Sequence, residues 1–328
     1  MLYNKFSEYL KNRYGEKVYK LPVNIPATCP NRDGKLGTGG CIFCGEEGAG
    51  FENLPSHMSV AEQLEKNAAY IGRRYGAKKY IAYFQNYSNT YLPFEKFRKY
   101  VDESCAENVV AIYISTRSDC INTRYLEYLA EIKKQKGIDI VIELGLQTVN
   151  YHTLKILKRG HTLAEFIDSV ISCREYGLDT CAHYIVDLPM DTIDDIVEGA
   201  RIISALRVNQ VKCHSLYILK GTELGDMYEK GMIKPVSMKE YMDRIITFLE
   251  YLDPKIVVQR LIGRAPEERT LFSGWNTSWW KVVEAVEGKM EKEGRYQGRL
   301  FDYLNGGRVM ASLTDDMVSP QGFLPKNK

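Results

Sequence analysis

The chain has 328 residues, 45% of them apolar, and a formal net charge of +2. Apolar content at that level excludes an intrinsically disordered chain, and no window approaches the ~18 consecutive apolar residues of a membrane-spanning helix. The opening stretch, MLYNKFSEYLKNRYGEKVYK, holds no apolar signal-peptide core, so a cytoplasmic protein without a membrane partner is expected, and its eight cysteines are then not a disulfide framework.

The first feature in chain order is a basic run interleaved with tyrosine: Lys11, Arg13, Lys17 and Lys20 with Tyr14 and Tyr19. Such a run fits a solvated face or a phosphate backbone. YKLPVNI follows as a candidate first strand. Further on, Ser59 with Glu62 forms a capping-box pattern, and Val60, Leu64 and Ile71 keep helical spacing after it. A second basic run, Lys66, Arg73, Arg74, Lys78 and Lys79, accompanies that helix. Then come KKYIAYFQ, NVVAIYIST, DIVIELGLQ, DTCAHYIV and VKCHSLYIL. These runs are almost continuously apolar and rich in β-branched residues, as parallel strands covered on both faces require.

Gly137 and Gly177 stand where intervening helices should stop. Thr192 with Asp195 marks another helix start and places Ile196, Ala200 and Ile203 on one face. The reading is about six strand–helix units through Leu219, closing as a barrel or an open doubly wound sheet. Either architecture puts function at the C-terminal ends of the strands. Polar clusters lie there: Gln85–Asn86, Ser115–Thr116–Arg117, Gln147–Thr148 and Asp187. Residues 1–220 are therefore read as the barrel. Residues 221–328, with all three tryptophans (Trp275, Trp279 and Trp280), are read as a helical or mixed extension covering it.

Between the first strand and Ser59 lies TCPNRDGKLGTGGCIFCG, with Cys29, Cys41 and Cys44 in a Cys-x11-Cys-x2-Cys pattern. The close pair can bind one metal centre, and Gly34, Gly37, Gly39 and Gly40 ease the return of the third cysteine. A structural zinc would want a fourth ligand, which His57 or Cys105 would supply. An iron–sulfur cluster on three thiolates instead leaves one iron open to a small molecule. Spacing alone leaves both readings standing. Phe43, between the paired cysteines, fits a flat cofactor or plain packing.

The segments CPNRDGKLGTGGCIFC, YFQNYSNTY, STRSDC, ELGLQT, LKRGHT and QRLIGRAP, in this order, resemble the YtqA/YhcC-type proteins of the radical S-adenosylmethionine (SAM) superfamily, distant relatives of the Elongator catalytic subunit. The usual superfamily spacing is Cys-x3-Cys-x2-Cys; the longer first interval marks this subfamily. The resemblance implies an α/β fold, a partial (β/α)6 TIM-like barrel. It also implies a [4Fe-4S] cluster on Cys29, Cys41 and Cys44, with SAM chelating the open iron. An electron from a donor such as flavodoxin or ferredoxin would break the S–C5′ bond, and the resulting 5′-deoxyadenosyl radical would abstract hydrogen from the substrate.

Cofactor contacts are carried over on the same basis. Phe43 would flank the cofactor, and Gln85 stands where relatives hold the methionine amino group. Thr116, Arg117 and Asp119 end the third strand near SAM. Glu143 and Gln147, four apart on the fourth strand, would accept from ribose hydroxyls, and Arg159 would pair with the SAM carboxylate. His183 and Ile185 would lie near the adenosine, while His161 is read as structural. In DLPMD, Asp187 replaces a family glycine and Met190–Asp191 replaces Gly-Glu, which puts adenine contacts at Asp187 in doubt.

No cysteine precedes Cys29 or follows Cys213, which argues against the methylthiotransferases and a C-terminal auxiliary cluster; a full Elongator-type enzyme with an acetyltransferase domain is not expected. The expected substrate is tRNA, at the step that converts carboxymethylaminomethyl-uridine to aminomethyl-uridine. On the substrate side His214, Arg260, Arg264, Trp275 and Trp279 are candidates, the tryptophans also fitting a hydrophobic seal. The alternatives are a radical SAM enzyme on a small molecule or peptide, and a zinc-stabilised barrel without chemistry.

Overall fold

The computed structural model describes residues 1–45, 53–265 and 269–307. Helix α1 (Phe6–Tyr14) precedes β1 (Val18–Val23), α2 (Val60–Tyr75), β2 (Lys79–Phe84), α3 (Phe94–Ser104) and β3 (Val109–Thr116). Then follow α4 (Thr123–Lys136), β4 (Asp139–Gln147), α5 (Tyr151–Ile156), α6 (Leu163–Glu175), β5 (Asp179–Ile185), α7 (Ile193–Ala205) and β6 (Gln210–His214). The remainder holds β7 (Ile218–Leu219), α8 (Glu223–Glu229), α9 (Met238–Tyr251), β8 (Val257–Arg260), β9 (Thr270–Phe272) and α10 (Trp279–Glu293).

Seven parallel strands form one sheet in the order β1-β2-β3-β4-β5-β6-β8. The capping boxes expected at Ser59 and Thr192 both form, and a third forms at Thr162 with Glu165. Gly137 ends α4 in the left-handed conformation, φ +65°, that glycine adopts without a Cβ penalty.

Two strand expectations are corrected. VKCHSLYIL is not one strand. The buried Asp187 carboxylate accepts the Leu216 N–H at 2.6 Å, and the chain leaves the sheet after His214. Ile218 and Leu219 then pair antiparallel with β9. The sheet also gains a seventh strand, β8, whose Gln259 and Arg260 open the QRLIGRAP segment. Four residues are too few to stand out as a periodic run.

The sheet curls into a half-barrel, because side chains from opposite edges meet inside it. Lys20 Nζ on β1 lies 2.7 Å from Gln259 Oε1 on β8. Gln210 on β6 donates to Tyr113 Oη on β3 at 2.9 Å. Alternate residues point outward. Ile112, Ile114, Ile140, Ile142 and Leu144 are fully buried against the helical layer, each contributing roughly 1.5–3 kcal/mol. Inward, Leu10 and Phe6 of α1 pack with Ile81, Tyr113 and Val141 and plug the N-terminal end of the lumen. Arg13 and Tyr14 fasten that plug to Asp139, at 2.8 and 2.7 Å. Of the first basic run, Arg13 is thus paired and Lys20 turned into the lumen, while Lys11 and Lys17, like Arg73 and Arg74 on α2, are exposed. Among the described residues no helix is long and apolar enough to cross a membrane.

Candidate radical SAM site

A cavity of about 210 Å³ opens at the C-terminal ends of the strands. The cysteine loop forms one wall. Cys29 C=O accepts the Arg32 N–H at 2.8 Å, and Asp33 bridges to Thr38 in a small hairpin. Asn31 ties that hairpin across the site: its amide donates to Lys158 C=O at 2.6 Å and lies 3.5 Å from Cys41 Sγ. Cys44 N–H returns to Cys41 C=O at 2.9 Å, and Arg32 donates to the carbonyls of Cys44 and Gly45. Cys29, Cys41 and Cys44 all line the cavity, and Phe43 lines it between the close pair.

The three thiols do not make a zinc site. A tetrahedral zinc with Zn–S bonds of about 2.3 Å draws its sulfurs to within about 3.8 Å of one another. Among the described residues, the trio of ligand-type side chains with its atoms mutually within 4.8 Å is Glu143, Cys181 and His183, not the loop cysteines. That trio would place a cation against the Lys20 and Lys212 ammonium groups already on Glu143. The proposed fourth zinc ligands are elsewhere: His57 is exposed, and the Cys105 thiol donates to Val101 C=O. Three thiols on one open wall, not all within 4.8 Å of one another, fit a multi-iron cluster with one open position.

Arg159 reaches the same wall. Its Nη1 lies 3.3 Å from Cys41 Sγ, its Nη2 donates to Gly145 C=O at 2.9 Å, and its buried Nε has no partner among the described residues. A Cβ on Gly145 would stand 2.9 Å from that guanidinium, so a side chain there would displace it. His161 Nε2 sits 2.8 Å from Arg159 Nη2. Burial and Arg159 lower the His161 pKa to about 3, so the ring is neutral and positions the arginine.

Thr116 Oγ1 contacts Ser88 at 2.9 Å and Thr90 at 2.6 Å. Arg117 forms a bidentate pair with Asp119 at 2.8 and 2.7 Å and leaves Nη1 buried without a partner among the described residues. Gln147 takes φ +71°, an uncommon conformation for a non-glycine residue, where the β4–β5 register breaks. Gln85, Thr116, Arg117, Glu143, Gln147, Arg159 and His183 all line the cavity.

Two cofactor candidates do not. Asp119 stands off the wall as the partner of Arg117, and Ile185 is buried in an apolar cluster with Ile42, Leu157 and Leu188. Asp187 is likewise spent on the Leu216 N–H, and burial lifts its pKa to about 7.

The cavity floor is an ion cluster centred on Glu143. Its Oε1 accepts from Lys20 at 2.7 Å and Gln259 at 3.2 Å; its Oε2 meets His183 at 2.8 Å, Lys212 at 3.1 Å and Ser115 at 3.2 Å. Burial alone would raise the Glu143 pKa, yet Lys20 and Lys212 hold it well below the usual range. Burial lowers the pKa of Lys212 to about 7 and that of His183 to about 4. Both Glu143 oxygens are filled by protein donors, so the carboxylate organises the floor rather than waiting for ribose hydroxyls.

On the substrate side, His214, Arg260 and Arg264 line the cavity. Trp275 does not: its indole N–H donates to Val236 C=O at 2.7 Å and its ring packs 4.8 Å from Tyr241. Trp279 is exposed, with the Arg264 guanidinium 4.8 Å above its ring. Sequence reasoning missed Lys20, Lys212, Gln259, Asn31 and Tyr217. Lys212 carried a usable signal, a lone cation within an apolar strand and two residues from His214 on the same face.

Residues 24–203 match the family described as the Radical SAM superfamily, and residues 208–292 match the Radical_SAM C-terminal domain. YtqA of Bacillus subtilis is 33% identical over 303 residues, covering 92% of this chain and 94% of that one. The tRNA uridine(34) acetyltransferase of Methanocaldococcus infernus is 25% identical over 197 residues, 59% of this chain and 35% of that one. Among solved structures, the archaeal Methanocaldococcus infernus Elp3 with an N-terminal deletion matches with a TM-score of 0.65 at 18% identity, over 85% of this chain and 64% of that one. The superfamily match runs through the cysteine loop and β2 to β5 of the half-barrel, the YtqA match runs nearly end to end, and the chain belongs to the radical SAM superfamily.

Proposed function

We propose that this radical SAM enzyme matures the wobble uridine of tRNA, converting a carboxymethylaminomethyl group on uridine C5 to aminomethyl. The observation that carries the reading is the relative named tRNA uridine(34) acetyltransferase, 25% identical over a stretch covering 59% of this chain. The rim of the cavity adds a tryptophan–arginine pair, Trp279 with Arg264, of the kind that stacks on a splayed base.

Cys29, Cys41 and Cys44 would hold the [4Fe-4S] cluster, and the unpartnered N–H groups of Arg159 and Arg117 would meet the carboxylate of SAM. When bound and reduced by a flavodoxin- or ferredoxin-type donor, the pair supplies a carbon radical that removes an unactivated hydrogen. Every other task falls to the chain. Arg159 Nη1 and Asn31 Nδ2 direct N–H bonds at the Cys41 sulfur and hold that side chain in place. Gln85, Thr116 and Gln147 present polar groups where the ligand would lie. The α1 plug and the Glu143 cluster close the lumen from below, so the cavity is reached from the strand ends. Exposed Arg73 and Arg74 on α2 offer phosphate contacts. The hydrogen removed lies on a carbon beside nitrogen, where no acid–base group of the cavity can take it but a carbon radical can.

The test is mass spectrometry of nucleosides from bulk tRNA with and without the gene. Accumulation of carboxymethylaminomethyl-uridine and loss of its downstream products is the expected result. An unchanged profile in a host that makes the modification moves the substrate to small molecules or peptides.

A further inference from the structure

The cavity is strongly and unevenly charged. Arg32, Arg117, Arg159, Lys212, Arg260 and Arg264 line it, against Glu143 as the one carboxylate on its wall. Most of these cations are already answered within the protein. Arg32 donates to two backbone carbonyls, Arg117 pairs with Asp119, Arg159 meets Cys41 and Gly145, and Lys212 meets Glu143.

Arg260 differs. Its Nη2 lies 2.7 Å from His214 Nδ1 and 3.2 Å from His214 Nε2, so the ring is its partner. Its Nε is buried with no partner, and among the described residues no carboxylate pairs with it. Burial and the cations Arg260 and Lys212, with His183 beside it, hold His214 neutral, its pKa well below the usual histidine range. A half-buried guanidinium given only a neutral imidazole is under-satisfied, and an anion would complete it. Gly263 borders the spot, and a Cβ there would come within 3.4 Å of both Arg260 Nη2 and His214 Nδ1.

We propose that Arg260, backed by His214, is the subsite for a carboxylate on the substrate, so that the reacting end of the substrate is an anion. Arg260 presents a planar fork that matches a carboxylate. A backbone phosphate is flanked by two sugars, whereas a carboxylate on a short side chain can meet the Arg260 fork end-on at the cavity wall. The identity of that carboxylate rests on the wobble-uridine reading, but the subsite does not.

The test uses reconstituted, unreduced holoenzyme saturated with SAM, so that Arg159 is not the arginine being read. Affinity is measured for an anticodon stem-loop carrying carboxymethylaminomethyl-uridine and for the same RNA with the carboxylate replaced by its carboxamide. The acid should bind at least about tenfold tighter, the scale of one charge-assisted contact. Arg260→Gln should remove that preference, and Arg260→Lys, which keeps the charge without the fork, should retain part of it. Equal binding of acid and amide, or a preference that survives in Arg260→Gln, overturns the subsite and leaves the RNA reading intact. If neither RNA binds, the RNA reading fails and N-methylglycine against N-methylglycinamide decides the subsite. Acid-selective binding lost in Arg260→Gln supports it, and equal binding of the two, or binding of inorganic phosphate as strong as that of the acid, overturns it.

Discussion

The floor and the rim of the cavity are built on opposite terms. On the floor every charge is answered: Glu143 takes donors from Lys20, Lys212, His183, Ser115 and Gln259. On the rim, Arg117, Arg159 and Arg260 each keep a buried nitrogen without a partner among the described residues. Buried polar groups are normally satisfied, and the exceptions mark places where a ligand belongs. The floor is therefore a folding device and the rim a binding device. Substitutions should separate the two.

The largest effect is expected on the rim. Cys41→Ala should abolish the visible colour and iron content of the anaerobically purified protein and reduce SAM cleavage to background. Cys213→Ala, in the apolar outer layer, should keep both. Loss of iron in both variants would break the ligand assignment. Next comes the floor. Glu143→Gln strands two lysines in a closed lumen, and losing one partner of a buried ion pair costs about 3–5 kcal/mol. Denaturant unfolding measures it, and a loss below about 1 kcal/mol would mean the cluster is not the strut described here.

A smaller change should follow Arg159→Gln. Its charge-assisted contacts are worth about 1.5–3 kcal/mol, so SAM affinity should fall roughly ten- to hundredfold while the unfolding midpoint moves little. A stability loss as large as that of Glu143→Gln would erase the distinction between rim and floor.

The smallest effect is a pH dependence. The folded-state pKa of Asp187 is raised to about 7 from 3.8 by burial. Between those values the folded chain holds a proton that the unfolded chain has lost. Its contribution to stability is complete below about pH 4 and disappears as pH rises toward 7. Asp187→Asn keeps an acceptor for the Leu216 N–H without that dependence. It should gain about 2–4 kcal/mol on the wild type at pH 8 and little at pH 4, read as the difference between paired melting curves. A difference that does not change with pH would show that Asp187 stays charged throughout.

The sheet was legible because its strands are covered on both faces. DIVIELGLQ reads as a strand and is one from Asp139 to Gln147. The rim was legible in part, since thiols and arginines at strand ends are visible as residue types. The floor was not. Lys20 sits in a run that reads as a basic surface patch, and only the curl of the sheet turns it toward Glu143, 123 positions away. Gln259 was hidden for the same reason, on a strand too short to register as one. Asp119 and Ile185 were placed near the cofactor by resemblance; in the fold Asp119 pairs with Arg117 and Ile185 packs in an apolar cluster.

The last strand of the half-barrel is held by the first residues of the chain. Asn4 C=O accepts the Val258 N–H at 2.8 Å, Asn4 N–H meets Gln297 at 2.8 Å, and Tyr3 reaches Glu287 at 2.7 Å across 284 positions. During synthesis at about 5–20 residues per second, the first six strands can pair with neighbours while these contacts wait. Contacts at such separation are slow to form. A change at Leu2–Lys5 is therefore expected to loosen the seating of β8 at the edge of the half-barrel rather than the body of the sheet.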